Sequence, residues 1–193
     1  NYDVKYYRLE LEVDPSVRAI GGSVTSYFIV SGGDMTSMAF DLNHNGMIVD
    51  SVYYDESKIT NYLLEDYELT INFSNPLPDE SLDSITIFYH GIPEENGFGS
   101  FMQSTHNGSP IIWTLSEPYG ARDWWPCKQS LNDKTDSVDI FITHPSGYKA
   151  ASNGLLISET GLGGNIVTYW KHKHPITVYL IAFAVTNYEA YSD

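Results

Sequence analysis

One cysteine, Cys127, in 193 residues excludes an intrachain disulfide, a zinc ribbon and a Cys-x-x-Cys redox pair, each of which needs at least two thiols. Basic residues are also few: ten Lys and Arg stand against 25 Asp and Glu, a formal net charge of −15. Nucleic-acid binding draws on clustered Lys and Arg whose phosphate contacts release counterions, and scattered cations do not supply that, so nucleic acid is not an expected partner. An anionic membrane surface is disfavoured for the same reason. No run approaches the length of apolar sequence that a membrane span needs, so membrane insertion is not expected either. Asn1-Tyr2-Asp3 has neither the basic nor the apolar region of a signal peptide, as in any mature or trimmed chain, which leaves export and the cytosol equally open.

What is present is a globular composition, with 42% apolar, 14% aromatic and 18% charged residues. A chain of this length buries about 70% of its unfolded surface, enough for a core without staples. Its negative field keeps it soluble and favours the capture of cations, among them metal ions and the protonated amino groups of peptides.

Tyr7, Leu9, Leu11 and Val13 alternate with Arg8, Glu10 and Glu12, the pattern of a half-buried strand. The same period of two recurs at Met38-Phe40-Leu42, Tyr67-Leu69-Ile71-Phe73, Ile85-Ile87-Tyr89 and Val138-Ile140-Ile142. Turn signals separate the runs at Ser31 to Asp34, Asn45-Gly46, Asn75-Pro76, Asn153-Gly154 and Gly161 to Asn165. Val178 to Val185 is apolar at every position and predicts a strand buried on both faces. No segment keeps helical periodicity over three turns, and Tyr is abundant, so the pattern predicts an all-β chain of a dozen or more strands in packed antiparallel sheets. Two stretches, Gly91 to Pro110 and Tyr119 to Lys134, break the rhythm and read as long loops. No repeat or linker divides the chain, so residues 1–193 read as one domain.

None of the six histidines sits in a His-Glu-x-x-His spacing. His172 and His174 share one side of a strand and are compatible with a metal, but beside Lys173 and Pro175 they read better as a solvated rim. There is no Gly-x-Ser-x-Gly, Walker or Rossmann motif, and with 25 acidic residues some neighbouring pair of carboxylates carries no information. The dense region is 113–127, WTLSEPYGARDWWPC, where an apolar strand runs into Glu117-Pro118 and then Arg122, Asp123, Trp124, Trp125, Pro126 and Cys127. A carboxylate at a strand end, rimmed by aromatic rings, is a seat for a cation, because charge-assisted hydrogen bonds to ammonium outweigh neutral ones. The plainer alternative is a solvated Glu117 with Arg122 and Asp123 tying the loop down.

At this segment the sequence resembles the N-terminal domain of the aminopeptidase N family of zinc metallopeptidases, which includes the leukotriene hydrolase-aminopeptidases. The family's Thr-Gln-x-Gln/Glu, Ala-Arg and aromatic-Pro-Cys pattern is matched at Thr114, Glu117, Ala121-Arg122 and Trp125-Pro126-Cys127, followed by a strand at Ser137 to Thr143. The opening Tyr2-Asp3-Val4 with Tyr7-Arg8-Leu9, the turn Ala151-Ser152-Asn153-Gly154 and the closing Tyr179 to Val185 extend the likeness over most of the chain.

The resemblance implies a saddle-like, multi-stranded β-sandwich that packs on a separate catalytic domain, which is the expected home of the zinc. No cofactor is expected to be bound by this chain, no metal site and no catalytic residue are expected in it, and the isolated chain is expected to be inert. The resemblance also implies that Glu117 anchors the α-amino group of a peptide N-terminus. Leu115, where the family has Gln, would border the pocket for the first residue and lacks an amide contact there. Pro118, Arg122, Asp123 and Trp125 would support the site. Relatives have a cis peptide after the anchor residue, and Pro118 makes cis far less costly than at a non-proline bond, so Glu117-Pro118 is predicted cis. Trp124 and Trp125 are predicted to pack behind the anchor and Cys127 to be a buried, inert thiol. The competing reading is a free-standing β-sandwich binding module, carbohydrate-binding or adhesin-like, with exposed Tyr and Trp as stacking platforms.

Overall fold

A computed structural model describes residues 1–94 and 99–189. Among them lie fifteen strands and two short 3₁₀ turns, so the all-β expectation is met. The largest sheet has eight strands: β1 (Tyr2–Glu12), β2 (Ile20–Val30), β4 (Met47–Tyr54), β5 (Ser57–Ile59), β8 (Leu82–Gly91), β11 (Ser137–Pro145), β13 (Leu155–Leu162) and β14 (Asn165–His172). Their order across the sheet is β13-β14-β11-β1-β2-β8-β4-β5. A three-stranded sheet, in the order β3-β7-β6, comprises β3 (Met35–Asp41), β6 (Tyr62–Glu65) and β7 (Glu68–Leu77). A four-stranded sheet, in the order β12-β15-β10-β9, comprises β9 (Phe101–His106), β10 (Ser109–Thr114), β12 (Lys149–Ser152) and β15 (Phe183–Thr186).

The core is built by the alternation seen in the sequence. Tyr7, Leu9 and Leu11 on β1, Val24 and Phe28 on β2, Ile85, Ile87 and Tyr89 on β8, and Val138, Ile140 and Ile142 on β11 are all buried. With a period of two, the residues between them must face the other side of the sheet. Met38 and Phe40 of β3, with Leu42 just beyond it, and Leu69 and Ile71 of β7 supply the opposing layer.

Four expectations are corrected. The sheets are not all antiparallel, because β1 runs parallel to β11, with Leu9 opposite Ile140. Alternation reveals which face of a strand is buried but not its direction, and the chain between these two strands is long enough for the crossover a parallel pair needs. Val178 to Val185 is not one strand: Val178–Leu180 is a 3₁₀ turn with Leu180 half exposed, and only Phe183–Thr186 is strand. Here side chains rather than a ladder satisfy the backbone. Asn153 donates to the Leu180 carbonyl (2.9 Å) and accepts from the Ala182 N–H (2.7 Å), while the Ser152 hydroxyl donates to the Ala182 carbonyl (2.7 Å). Gly154 makes this turn feasible, since its φ is +90° and a Cβ would stand 2.2 Å from the Lys171 carbonyl oxygen.

Asn75-Pro76 is not a turn but lies within β7, where the register to β3 shifts between Met35 and Ser37 and β6 no longer pairs. Proline is tolerated there because no ladder N–H is required. The Gly91–Pro110 stretch is not one loop either: β9 and β10 form a hairpin across Asn107-Gly108, both at positive φ. Exposed Ser104, Thr105 and His106 remove the alternation that would have revealed β9. Residues 95–98 of that stretch lie outside the described residues.

Candidate functional site

The segment 113–127 leaves the four-stranded sheet at Thr114 and is tied down on both sides. The Thr114 hydroxyl accepts from the Phe183 N–H (3.0 Å) and the Leu115 N–H donates to the Ser100 carbonyl (3.0 Å). The next bond but one, Glu117-Pro118, is cis as predicted. The chain closes on itself at once, with the Gly120 N–H donating to the Ser116 carbonyl at 2.8 Å. Glycine is required at 120 by space, because a Cβ there would stand 2.8 Å from the Ser100 hydroxyl and 3.1 Å from Ser116 Cα. A 3₁₀ turn, Ala121–Asp123, follows.

Behind this bend lies an aromatic wedge. Trp124 and Trp125 are fully buried, as predicted, with ring centroids 5.6 Å apart. Trp124 meets Phe183 edge-on at 5.4 Å and donates its indole N–H to the buried Ser116 hydroxyl at 2.8 Å, so one ring fixes the residue just before Glu117. Trp125 meets Tyr7 of β1 edge-on at 5.0 Å, while its own indole N–H has no hydrogen-bond partner among the described residues. Asp123 is buried and accepts from the Ser100 hydroxyl and from the Asn43 side-chain amide (3.3 Å). Cys127 exchanges backbone hydrogen bonds with Asp41 (2.7 and 3.1 Å), and burial, with Asp41 nearby, pushes its thiol well above the ordinary range. A thiol held protonated and fully buried is a poor nucleophile.

The loop presents outward a recess of about 280 Å³ lined by Leu115, Glu117, Pro118, Tyr119, Arg122 and Tyr67. Glu117, Leu115, Pro118 and Tyr119 are exposed, whereas Ser116, Asp123 and Trp125 are buried beneath them. Of the residues singled out in the sequence, Leu115, Glu117, Pro118, Arg122 and Asp123 thus share one recess, and Trp125 lies in the wedge behind it. Tyr67 was missed in this role. Alternation assigns it to a strand beside Leu69, but it precedes β7, is exposed, and receives the Arg122 guanidinium over its ring at 4.0 Å. Nothing local in the sequence signals a contact between residues 67 and 122. Chemically, the recess offers one free-standing carboxylate, flanked by an aliphatic and two aromatic side chains, on a backbone clamped by the layer below.

A metal finds no comparable arrangement: no three His, Cys, Asp or Glu side chains come together among the described residues. His172 and His174 stand edge-to-face with centroids 5.9 Å apart, without a third ligand.

A three-sheet β-domain with a clamped, carboxylate-bearing bend is the class these features define, and comparisons with known proteins narrow it. Residues 3–180 match the profile of the Peptidase M1 N-terminal domain, and the chain belongs to that family. An aminopeptidase N from Haemonchus contortus is 33% identical over 101 residues, which is 49% of this chain and 10% of that protein. The M1 zinc metallopeptidase of Deinococcus radiodurans superposes with a TM-score of 0.83 at 22% identity, over 95% of this chain and 42% of that one. The leukotriene A4 hydrolase of Saccharomyces cerevisiae gives 0.77 at 21% identity, over 96% and 29%. The chain therefore spans a minor part of each of these relatives, and the two structural likenesses, at such identity, establish the fold.

Proposed function

We propose that residues 1–193 are the N-terminal β-domain of a larger zinc-dependent aminopeptidase, packing on a catalytic domain encoded elsewhere in the parent chain. In this reading Glu117 holds the α-amino group of a peptide substrate. The observation that carries it is the contrast within eight residues: Glu117 is exposed at the mouth of a recess, while Ser116 and Asp123 are locked beneath it by the Trp124 ring and the Ser100 hydroxyl. A carboxylate meant to meet a ligand must be free, and the backbone carrying it must not move. Exposed Leu115 and Tyr119 on the same rim supply apolar surface for the partner domain and for the first side chain of the substrate.

Docking of a second domain would remove water from the recess. A carboxylate desolvated in that way rewards an ammonium group and is left unpaired by an internal or blocked amide, which is how an exopeptidase discriminates. Zinc belongs to the catalytic domain in this reading, where it would polarise the scissile carbonyl and activate water; the described residues of this chain offer it no ligand set. The residues of this chain bind and orient.

The test is kinetic, in the parent enzyme. Glu117→Ala and Glu117→Gln are expected to lower kcat/KM on aminoacyl anilides by roughly one to two orders of magnitude, the equivalent of one ion-assisted hydrogen bond. Equal activity of wild type and both variants would refute the anchor role. A reading frame beyond Asp193 that encodes no His-Glu-x-x-His would refute the aminopeptidase assignment itself.

A further inference from the structure

We propose that the solvent face of the eight-stranded sheet is a binding groove for a neutral saccharide chain. It shares no residue with the Glu117 recess and does not rest on the aminopeptidase reading.

Strand register places two rows of side chains across this face. One runs Tyr53, Thr86, Thr25, Arg8, Asp139 and Lys171 through β4, β8, β2, β1, β11 and β14. The neighbouring row runs Ser51, Phe88, Ser23, Glu10, Phe141 and Tyr169 through the same strands. Tyr27 pairs with Tyr6 beside them, at a ring separation of 5.5 Å. The solvent face of a sheet is ordinarily polar, yet this one carries six aromatic rings, and Tyr27 and Phe88 are each 41% exposed. At ordinary strand spacing the track from Tyr53 to Tyr169 is about 24 Å long.

At the β4 end of the track the face deepens into a cavity of about 780 Å³. Among the described residues Tyr27, Tyr53 and Phe88 are its only rings, and Thr25, Thr86, Ser51 and Ser84 line it with hydroxyls. Arg8 lines it as well, already bonded to Glu10 at 2.8 Å and set over the Phe141 ring at 4.2 Å. Asp55 and Glu56, in the β4–β5 turn, stand on its rim without an ion-pair partner among the described residues, and both hold positive φ (45° and 61°).

This lining selects the chemistry of the occupant. Among the described residues no aliphatic side chain lines the cavity, which disfavours a lipid tail or the apolar face of a helix. It has one cation and two carboxylates, which disfavours phosphates and nucleic acid. Arg8 is neutralised by Glu10, so a cationic peptide would be drawn by Asp55 and Glu56 alone, with no ring-and-hydroxyl contacts to match, and it is the competitor that the test below includes. A pyranose has a flat C–H face, suited to an open aromatic ring, and a rim of vicinal hydroxyls, suited to carboxylate, guanidinium and hydroxyl partners. Tyr53 and Phe88 stand edge-to-face at 5.8 Å, and Phe88, 41% exposed, keeps open ring surface for such stacking.

The test is calorimetric titration of the chain with cellohexaose, maltohexaose, mannohexaose and chitohexaose, with pentalysine as the cationic control and sedimentation velocity to detect self-association. At least one oligosaccharide is expected to bind at millimolar affinity or better. Tyr53→Ala and Phe88→Ala are each expected to weaken that binding by about tenfold, about the loss of one stacking contact. The near-isosteric Asp55→Asn/Glu56→Gln pair, which leaves the rings and the fold in place, is expected to weaken it severalfold, and Glu117→Ala to leave it unchanged. No binding by any of the four sugars, binding indifferent to the ring and carboxylate variants, binding of pentalysine alone, or self-association that removes the face from solvent would each overturn the proposal.

Discussion

The molecule holds two concentrations of aromatic residues whose surroundings differ in almost every respect. Trp124 and Trp125 are completely buried, wedged between Phe183 and Tyr7, and serve to fix a bend. Tyr27, Tyr53 and Phe88 lie on the open side of a sheet whose other side is the core, and they line a cavity instead of filling one. An aromatic ring therefore has no role of its own in this fold; the role comes from which face of which layer the backbone assigns it. The wedge should be costly to disturb and silent in binding, and the outer track the reverse.

The largest effect should come from the wedge. Trp124→Ala removes a fully buried ring and orphans the Ser116 hydroxyl, and is expected to destabilise the domain by about 3–5 kcal/mol in urea unfolding. A loss below about 1 kcal/mol would erase the distinction between the two regions. Asp123→Ala should follow at about 1–3 kcal/mol, because it removes a buried acceptor of the Ser100 hydroxyl and one of the two carboxylates that the Asn43 amide reaches.

Next comes a pH dependence of the buried side. Burial raises the Cys127 thiol above its ordinary value of 9.0, so the folded state retains that proton where the unfolded state has lost it. Stability should accordingly be intact below about pH 9 and fall as pH rises above it. Tyr2 and Tyr7, raised from 10.0 chiefly by burial, add to the fall above pH 10. Cys127→Ala should remove the first part of the decline, and the native thiol should resist dithionitrobenzoate at pH 8 until the chain unfolds; prompt labelling would contradict the burial. The smallest effects belong to the open surface: Glu117→Ala, at an exposed residue, should shift stability by about 0.5 kcal/mol or less, and Tyr53→Ala, at a half-buried ring packed edge-on against Phe88, by about 1 kcal/mol or less; a larger loss from either would mean that the free carboxylate or the outer ring is a structural element after all.

Much of this architecture can be read from residue order. Tyr7, Leu9 and Leu11 against Arg8, Glu10 and Glu12, or Ile85 and Ile87 against Ser84 and Thr86, declare their buried faces because a strand's side chains alternate wherever it is placed. The bend at 113–127 was legible as well, since a proline after a glutamate, a glycine and two tryptophans lie close together in the chain. The contact of Arg122 with Tyr67 was not, nor was the exchange by which Asn153 holds the 180–182 backbone, because each joins residues far apart in sequence and neither leaves a local periodicity. The binding-module alternative had placed tryptophan on the surface, whereas Trp124 and Trp125 are core and the exposed rings are tyrosine and phenylalanine.

The sequence by itself determined that the chain is β throughout, which side of most strands is apolar, and that residues 113–127 form an unusual bend carrying Glu117. Those are local properties, set by side-chain alternation and by the conformational demands of proline and glycine. Only the tertiary structure decided that β1 lies parallel to β11, that Glu117 opens into a recess with Tyr67 and Arg122, and that rings from β1, β2, β4, β8, β11 and β14 line up on one face. Strand direction and register are settled by competition among distant segments for the same hydrogen-bonding edges, and no stretch of neighbouring residues records the outcome.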